Sequence, residues 1–327
     1  MRRRDFIAAL SAAVTWPLGA LGQAVTKLPR IGVLWHAAGS EQEEPYFSAF
    51  NRALADSGYI DGRNVVMEHR FPNEMPDHFR AMASELVQIP VDILIAIGAA
   101  SSQYVKTATA TIPIIFVFVP DPVGMRLVDS LARPGGNATG LTSIAPELSG
   151  RRLQLLKEVV PNLTKVALLI NPDAEVSRLY VEQAEAAARQ LGVAVEPFKA
   201  ASLAAVPGAF DAMAAAGAKA LMIGPEGLFF VGRKQIAQLA LDHKLPLCVW
   251  SHESFEAGAL MSYGPDMVAI CRGAARFVDK ILKGTRPAEI PVEQPTQFQF
   301  LVNLQIAKRL GVTVPTRLLS VADEVIE

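Results

Sequence analysis

The chain has 327 residues, 51% of them hydrophobic and 7% aromatic, which is globular composition and too long for one typical core, so two domains are expected. Basic and acidic residues nearly balance at 31 and 32, so no nucleic-acid partner or charged membrane surface is implied.

The N-terminus reads as an export signal. "MRRRDFI" is a basic start, "AALSAAVTWPLGALG" is a short apolar stretch broken by proline, and "GQA" supplies small residues before a cut after Ala24. Arg3-Arg4-Asp5-Phe6-Ile7 fits the twin-arginine pattern, with the general export route as the alternative. An uncut membrane anchor is the competing reading. Removing residues 1–24 leaves 28 basic and 31 acidic residues, net −3. The remainder has no further apolar run of membrane-spanning length. A periplasmic location follows.

The rest alternates short apolar runs with helical patterns. Strand "RIGVLW" (30–35) precedes a helix over 45–56, and strand 64–70 precedes a helix over 76–88. Strand 91–97, "VDILIAI", leads through Gly98 into a helix over 101–110. Strands 112–119 and 136–142 follow. The rhythm then restarts: helix 149–161, strand 165–170, a long helix ending on Gly192, and strand 193–198. Next come helix 203–216, strand 219–224, helix 228–243, strand 245–250, strand 258–264 and helix 265–283.

Strands alternating with helices specify βαβ units and parallel sheets. The fold class is α/β, and the double start predicts two doubly wound, Rossmann-like lobes. Short segments at 142–150, 251–258 and 287–296 are the candidate crossings of a hinge. The expected division is 25–143 plus 258–290 in the first lobe and 144–257 plus 291–327 in the second. Cys248 and Cys271 are the only cysteines, and two buried free thiols are expected rather than a bridge.

Reactive constellations are missing. There is no G-x-G-x-x-G after the first strand, no P-loop, no G-x-S-x-G and no H-E-x-x-H. The five histidines show no metal-ligand spacing. Ser251-His252-Glu253-Ser254 holds triad residue types, but neighbours on one loop point apart, so a polar hinge loop is expected. No cofactor and no catalytic residue is assigned.

In open parallel sheets, ligands sit beyond the carboxyl ends of the strands. The residues there are hydroxyls, acids and aromatics. Ser101 and Ser102, with Gln103, stand at a helix start where free N–H groups hold anions. Asp121 follows the fourth strand between two prolines, and Thr142 lies at the first crossing. In the second half the candidates are Asn171, Asp173, Glu226, Glu253 and Asp266. Trp35 and Trp250 end one strand in each half and are candidate walls for a planar ligand. Phe229 and Phe230 are expected to split between core and cleft. For each, a plain cap or core role is the competing reading.

"DPVGMRLVDSLARPGGNATGLT", "INPD", the run from "GALMSYGPDMVAICRGAARF" to "PVEQPTQFQFLVN", and the closing "ADEVIE" resemble the ABC substrate-binding family of periplasmic solute-binding proteins. The resemblance implies a type I periplasmic-binding fold with three crossings and a small molecule closed between the lobes. It implies ABC permease subunits as membrane partners, a monomer, and a carboxylate ligand: an aromatic or branched amino acid, or an organic acid lacking the amine. By the resemblance, "GAASSQ" places Ser101, Ser102 and Gln103 at the ligand, and the loop after "INP" places Asp173 there. An exported enzyme or a ligand sensor on the same frame are the alternatives.

Overall fold

The computed structural model describes residues 28–327, so the export signal assigned to residues 1–24 lies outside the described residues. The first half runs β1 (Arg30–Leu34), α1 (Tyr46–Asp56), β2 (Val66–Arg70), α2 (Pro76–Gln88), β3 (Ile93–Ile97), α3 (Ala99–Ala108), β4 (Ile114–Val119) and β5 (Ala138–Thr142). These five strands form one parallel sheet in the order β2-β1-β3-β4-β5. Every residue of β3 is buried, as a central parallel strand covered on both faces requires.

The chain then crosses. It continues with α4 (Ser149–Val159), β6 (Lys165–Ile170), α5 (Ser177–Leu191), β7 (Ala194–Lys199), α6 (Val206–Ala215) and β8 (Ala220–Ile223). After these come α7 (Gly227–Val231), α8 (Arg233–Asp242), β9 (Leu247–Val249), α9 (His252–Glu256) and β10 (Met261–Pro265). The last elements are α10 (Met267–Leu282), β11 (Phe298–Asn303), α11 (Leu304–Leu310), α12 (Thr316–Leu319) and β12 (Glu324–Ile326). The second sheet is ordered β12-β11-β10-β9-β8-β6-β7. Its first five strands in the chain repeat the order of the first sheet, so both lobes are doubly wound with the same switch point.

Some details depart from expectation. The strand at 258–264 belongs to the second sheet, where β10 pairs with β9 and β11. Only the helix after it returns to the first lobe, where α10 packs on α1, β4 and β5. The second crossing is therefore at Pro265–Met267, not at 251–258, because backbone pairing to β9 holds the strand in the second sheet. The third crossing follows Glu293, within the expected 287–296 segment, and Glu293 itself still bonds β5 through Gly140 and Thr142. β11 runs antiparallel to β10, an exception to the expected parallel pairing. The helix expected over 228–243 is broken at Gly232, where a Cβ would sit 2.4 Å from Leu203 Cδ2. Cys248 and Cys271 are buried and free.

Candidate ligand site

A parallel sheet parts its loops where the strand order reverses, and a crevice opens beyond the carboxyl ends there. In the first lobe that point lies between β1 and β3, and it presents His36 and Gly98–Ala100. In the second it lies between β6 and β8, and it presents Asn171–Val176 and Pro225–Leu228. The two sets face each other across a cavity of about 310 Å³. This volume is at the lower end of small-molecule sites.

The walls are largely aromatic and apolar: Tyr46, Phe79, Tyr104, Phe118, Phe230 and Trp250 line them. Phe118 sits where β4 shifts register against β5, and it takes φ 65°, a left-handed conformation unusual for an aromatic residue. Its ring lies 5.2 Å from that of Tyr46, which in turn lies 5.5 Å from Phe230 of the opposite lobe. Phe229, one residue away, is in the core.

The lining also carries polar side chains, among them His36, Glu74, Gln103, Arg152 and Glu226. Glu43 is fully buried and accepts from the main-chain N–H of His36 and Ala37 at 2.9 and 2.7 Å. The His36 ring lies 3.3 Å from Glu43 and 3.0 Å from Glu74. Burial opposes charge on this ring, but the two carboxylates outweigh it and raise its pKa to about 9. Across the cleft, burial raises Glu226 to about 8, against the hydrogen bond from Ser177 Oγ at 2.8 Å, and the nearby Glu74 pushes the same way as burial.

Few buried side-chain polar atoms among the described residues are left without a good hydrogen bond, and most of these stand at or beside the cavity. His36 Nδ1 and Glu74 Oε1 meet each other at 3.0 Å as an ion pair, which leaves Gln103 Oε1 and Arg152 Nη2 as the cavity atoms without any partner. Native interiors rarely leave such atoms unpaired, so Gln103 Oε1 and Arg152 Nη2 are places for polar groups of a guest.

Of the residues expected from the sequence, Gln103, Asn171, Asp173, Glu226 and Trp250 line the cavity. The others do not. Trp35 shares the β1 face of Ile31 and Val33, because strand side chains alternate, and that face is the core. Its Nε1 donates to His69 Nδ1 at 3.0 Å, and its ring stacks on Phe71.

Helix α3 begins two residues earlier than expected, so Ser101 and Ser102 fall inside its first turn instead of capping it. Ser101 Oγ donates to the Trp35 carbonyl at 2.7 Å and Ser102 Oγ to the Gly98 carbonyl at 2.6 Å. Neither hydroxyl is turned to the cavity wall. Gly98, at φ 92°, takes the cap position that a side chain would strain.

Asp121 closes a turn onto the Gly124 N–H at 2.8 Å. Thr142 donates to the Pro120 carbonyl and accepts from the Ile144 N–H. Asp266 caps α10 through the Ala269 N–H at 2.9 Å. Glu253 accepts from the Tyr46 hydroxyl of the other lobe. These four are local or inter-lobe contacts outside the cavity lining.

The triad residue types diverge as expected. Ser251 caps α9, His252 pairs with Glu324 at 2.9 Å, and Glu253 reaches Tyr46.

Sequence reasoning did not assign His36, Glu43, Glu74 or Arg152 to the site. Arg152 carried a signal: it shares a helix face with Leu156 and Val159, and a basic residue inside an apolar stripe needs a reason.

The family model for ABC transporter substrate binding protein matches residues 42–326. The chain belongs to this family. As a substrate-binding protein it has relatives with assigned ligands. A tyrosine-binding protein of Clostridioides difficile is 27% identical over 269 residues, 80% of this chain and 75% of that protein. The ABC domain of Streptococcus pneumonia solved in complex with L-Trp is 25% identical. It covers 92% of this chain and 100% of its own, with a TM-score of 0.86. A conserved domain protein of Vibrio cholerae is 26% identical, covers 91% of this chain and 100% of its own, and also has a TM-score of 0.86. The two-lobed architecture of this substrate-binding protein is that of type I periplasmic-binding proteins.

Proposed function

We propose that this substrate-binding protein captures an aromatic amino acid outside the cytoplasm and delivers it to the permease of an ABC importer. The observation that carries the reading is the aromatic-walled cavity of about 310 Å³ shut between the strand ends of the two lobes. Relatives described as binding tyrosine and L-Trp support the ligand class. The export signal read at residues 1–24 supports the location. No helix among the described residues is long and apolar enough to cross a membrane.

The affinity comes mainly from the walls. Burying an aromatic side chain of ~150–250 Å² at ~25 cal/mol per Å² corresponds to roughly 4–6 kcal/mol before the costs of association. The polar atoms set orientation. Glu226 and the unpartnered Gln103 Oε1 are acceptors suited to the ligand ammonium. Closure over the guest is the signal the permease reads, because only a ligand bonded to both lobes favours the closed state.

Isothermal titration and thermal-shift measurements with the twenty amino acids test this. The expected result is stabilisation by phenylalanine, tyrosine or tryptophan and little by small or charged residues. No stabilisation by any aromatic amino acid would overturn the ligand class.

A further inference from the structure

Arg152 is one of the largest fully buried side chains in the protein, at 1% exposure. It projects from α4 at the hinge. Its Nε donates to the Tyr263 carbonyl at 2.8 Å and its Nη1 to the Ala145 carbonyl at 3.2 Å. Those carbonyls belong to β10, just before the second crossing, and to the first crossing. Nη2 has no partner, and the open space bordered by the side chain is the cavity.

No carboxylate among the described residues forms an ion pair with it. The titratable groups around it are Cys248, Tyr180 and Tyr263, and burial holds Cys248 and Tyr180 in their neutral forms. A guanidinium nevertheless remains charged at any physiological pH. The other cation at the cavity, His36, is already flanked by Glu43 and Glu74. The cavity thus has one buried cation for which the described residues supply no counter-charge. A buried charge without a partner is strongly unfavourable, and a molecule that brings the partner gains what the empty site lacks.

We propose that Arg152 is the specificity-determining contact for the carboxylate of the ligand, which Nη2 receives at the hinge end of the cavity. This deepens the proposed function, on which it rests for the aromatic body of the ligand. It assigns the anionic end to a residue of the second lobe, not to the paired serines of α3, whose hydroxyls bond the main chain. It also joins the ligand to the side chain that ties two hinge segments together. The ligand class is an arylalkyl carboxylate. An amine on the same molecule would be held by the acceptors named above.

The test compares the purified protein with its R152Q and R152K variants by titration calorimetry. The probes are tyrosine, phenylalanine and tryptophan, their carboxamides, and the 3-arylpropanoic acids that lack the amine. Wild type should prefer acid over carboxamide by about 30-fold or more. In R152Q that preference should fall to near unity through loss of acid binding, and R152K should lie between.

Because the R152Q variant would also lose the bonds to the Ala145 and Tyr263 carbonyls, a second measurement on wild type guards against misfolding. The guanidinium ¹⁵Nε signal that disappears in R152K should shift when the acid binds. An unchanged signal, or an acid preference retained in R152Q, overturns the role of Arg152 while the amino-acid reading stands. Arg152-dependent binding of arylpropanoates without binding of amino acids does the reverse. Failure of every carboxylate to bind wild type overturns both.

Discussion

The hydroxyl of Tyr46, on the first helix of one lobe, donates to the carboxylate of Glu253, on the loop-helix that follows a strand of the other. Burial raises the Tyr46 pKa well above its usual value, with Glu253 adding to the effect, so the phenol is a permanent donor. The contact ties one lobe to the other, and it is expected to act as a latch on the closed arrangement. A hydrogen bond to a charged group contributes ~1.5–3 kcal/mol. Y46F should weaken ligand affinity by about tenfold and speed ligand release more than it slows capture. A double-mutant cycle with E253Q should show coupling between the two changes. Additive effects in that cycle would remove the latch.

The serines of α3 serve the fold. S101A removes a buried hydrogen bond to the Trp35 carbonyl, and S102A removes one to the Gly98 carbonyl. Each should lower stability by ~1–2 kcal/mol in denaturant titration. Ligand affinity, measured by calorimetry at a temperature where both variants are folded, should stay within about twofold because neither hydroxyl lines the cavity. A large affinity loss in either variant would place the serines back at the ligand.

Gly227 lets Glu74 of the first lobe close over the second. A Cβ there would fall 2.0 Å from Glu74 Oε1 and 3.0 Å from His36 Nδ1. G227A must displace both side chains or hold the lobes apart. Overpacking of this kind costs ~1–3 kcal/mol. Affinity should drop about tenfold, and X-ray scattering in the presence of ligand should report a larger radius of gyration. Gly208, in α6, is a control. Nothing lies within 4 Å of its Cβ position, so G208A should raise stability by ~0.4–1 kcal/mol and leave scattering unchanged.

The ligand-free protein should lose stability as pH rises. His36 is raised from 6.5 to about 9, so its contribution is complete below pH 6.5 and is lost as pH passes through 9. Glu226 is raised from 4.5 to about 8, so the folded state also holds its proton more tightly. Its contribution is complete below pH 4.5 and lost as pH passes through 8. Both slopes have the same sign. Thermal unfolding followed between about pH 4.5 and 9 should show H36Q flattening the upper part of the curve and E226Q the lower part. If Glu226 meets an ammonium, binding near pH 7 should release a proton. Calorimetry in buffers of different ionisation enthalpy would detect it.

The alternation of strand and helix, the restart near residue 149 and the absence of reactive motifs were all legible in the sequence. They follow from local periodicity, which a chain carries with it wherever it folds. So was the position of the cleft, because strand ends at a reversal of order part their loops in any doubly wound sheet. Which side chains line that cleft was settled by contacts between distant segments. Trp35 turned to the core because strand parity placed it with Ile31 and Val33. Ser101 bonded a carbonyl 66 residues away, Arg152 one 111 residues away, and Glu253 a hydroxyl 207 residues away. A polar side chain takes whichever partner the packed structure brings within about 3 Å, and no local pattern encodes that partner.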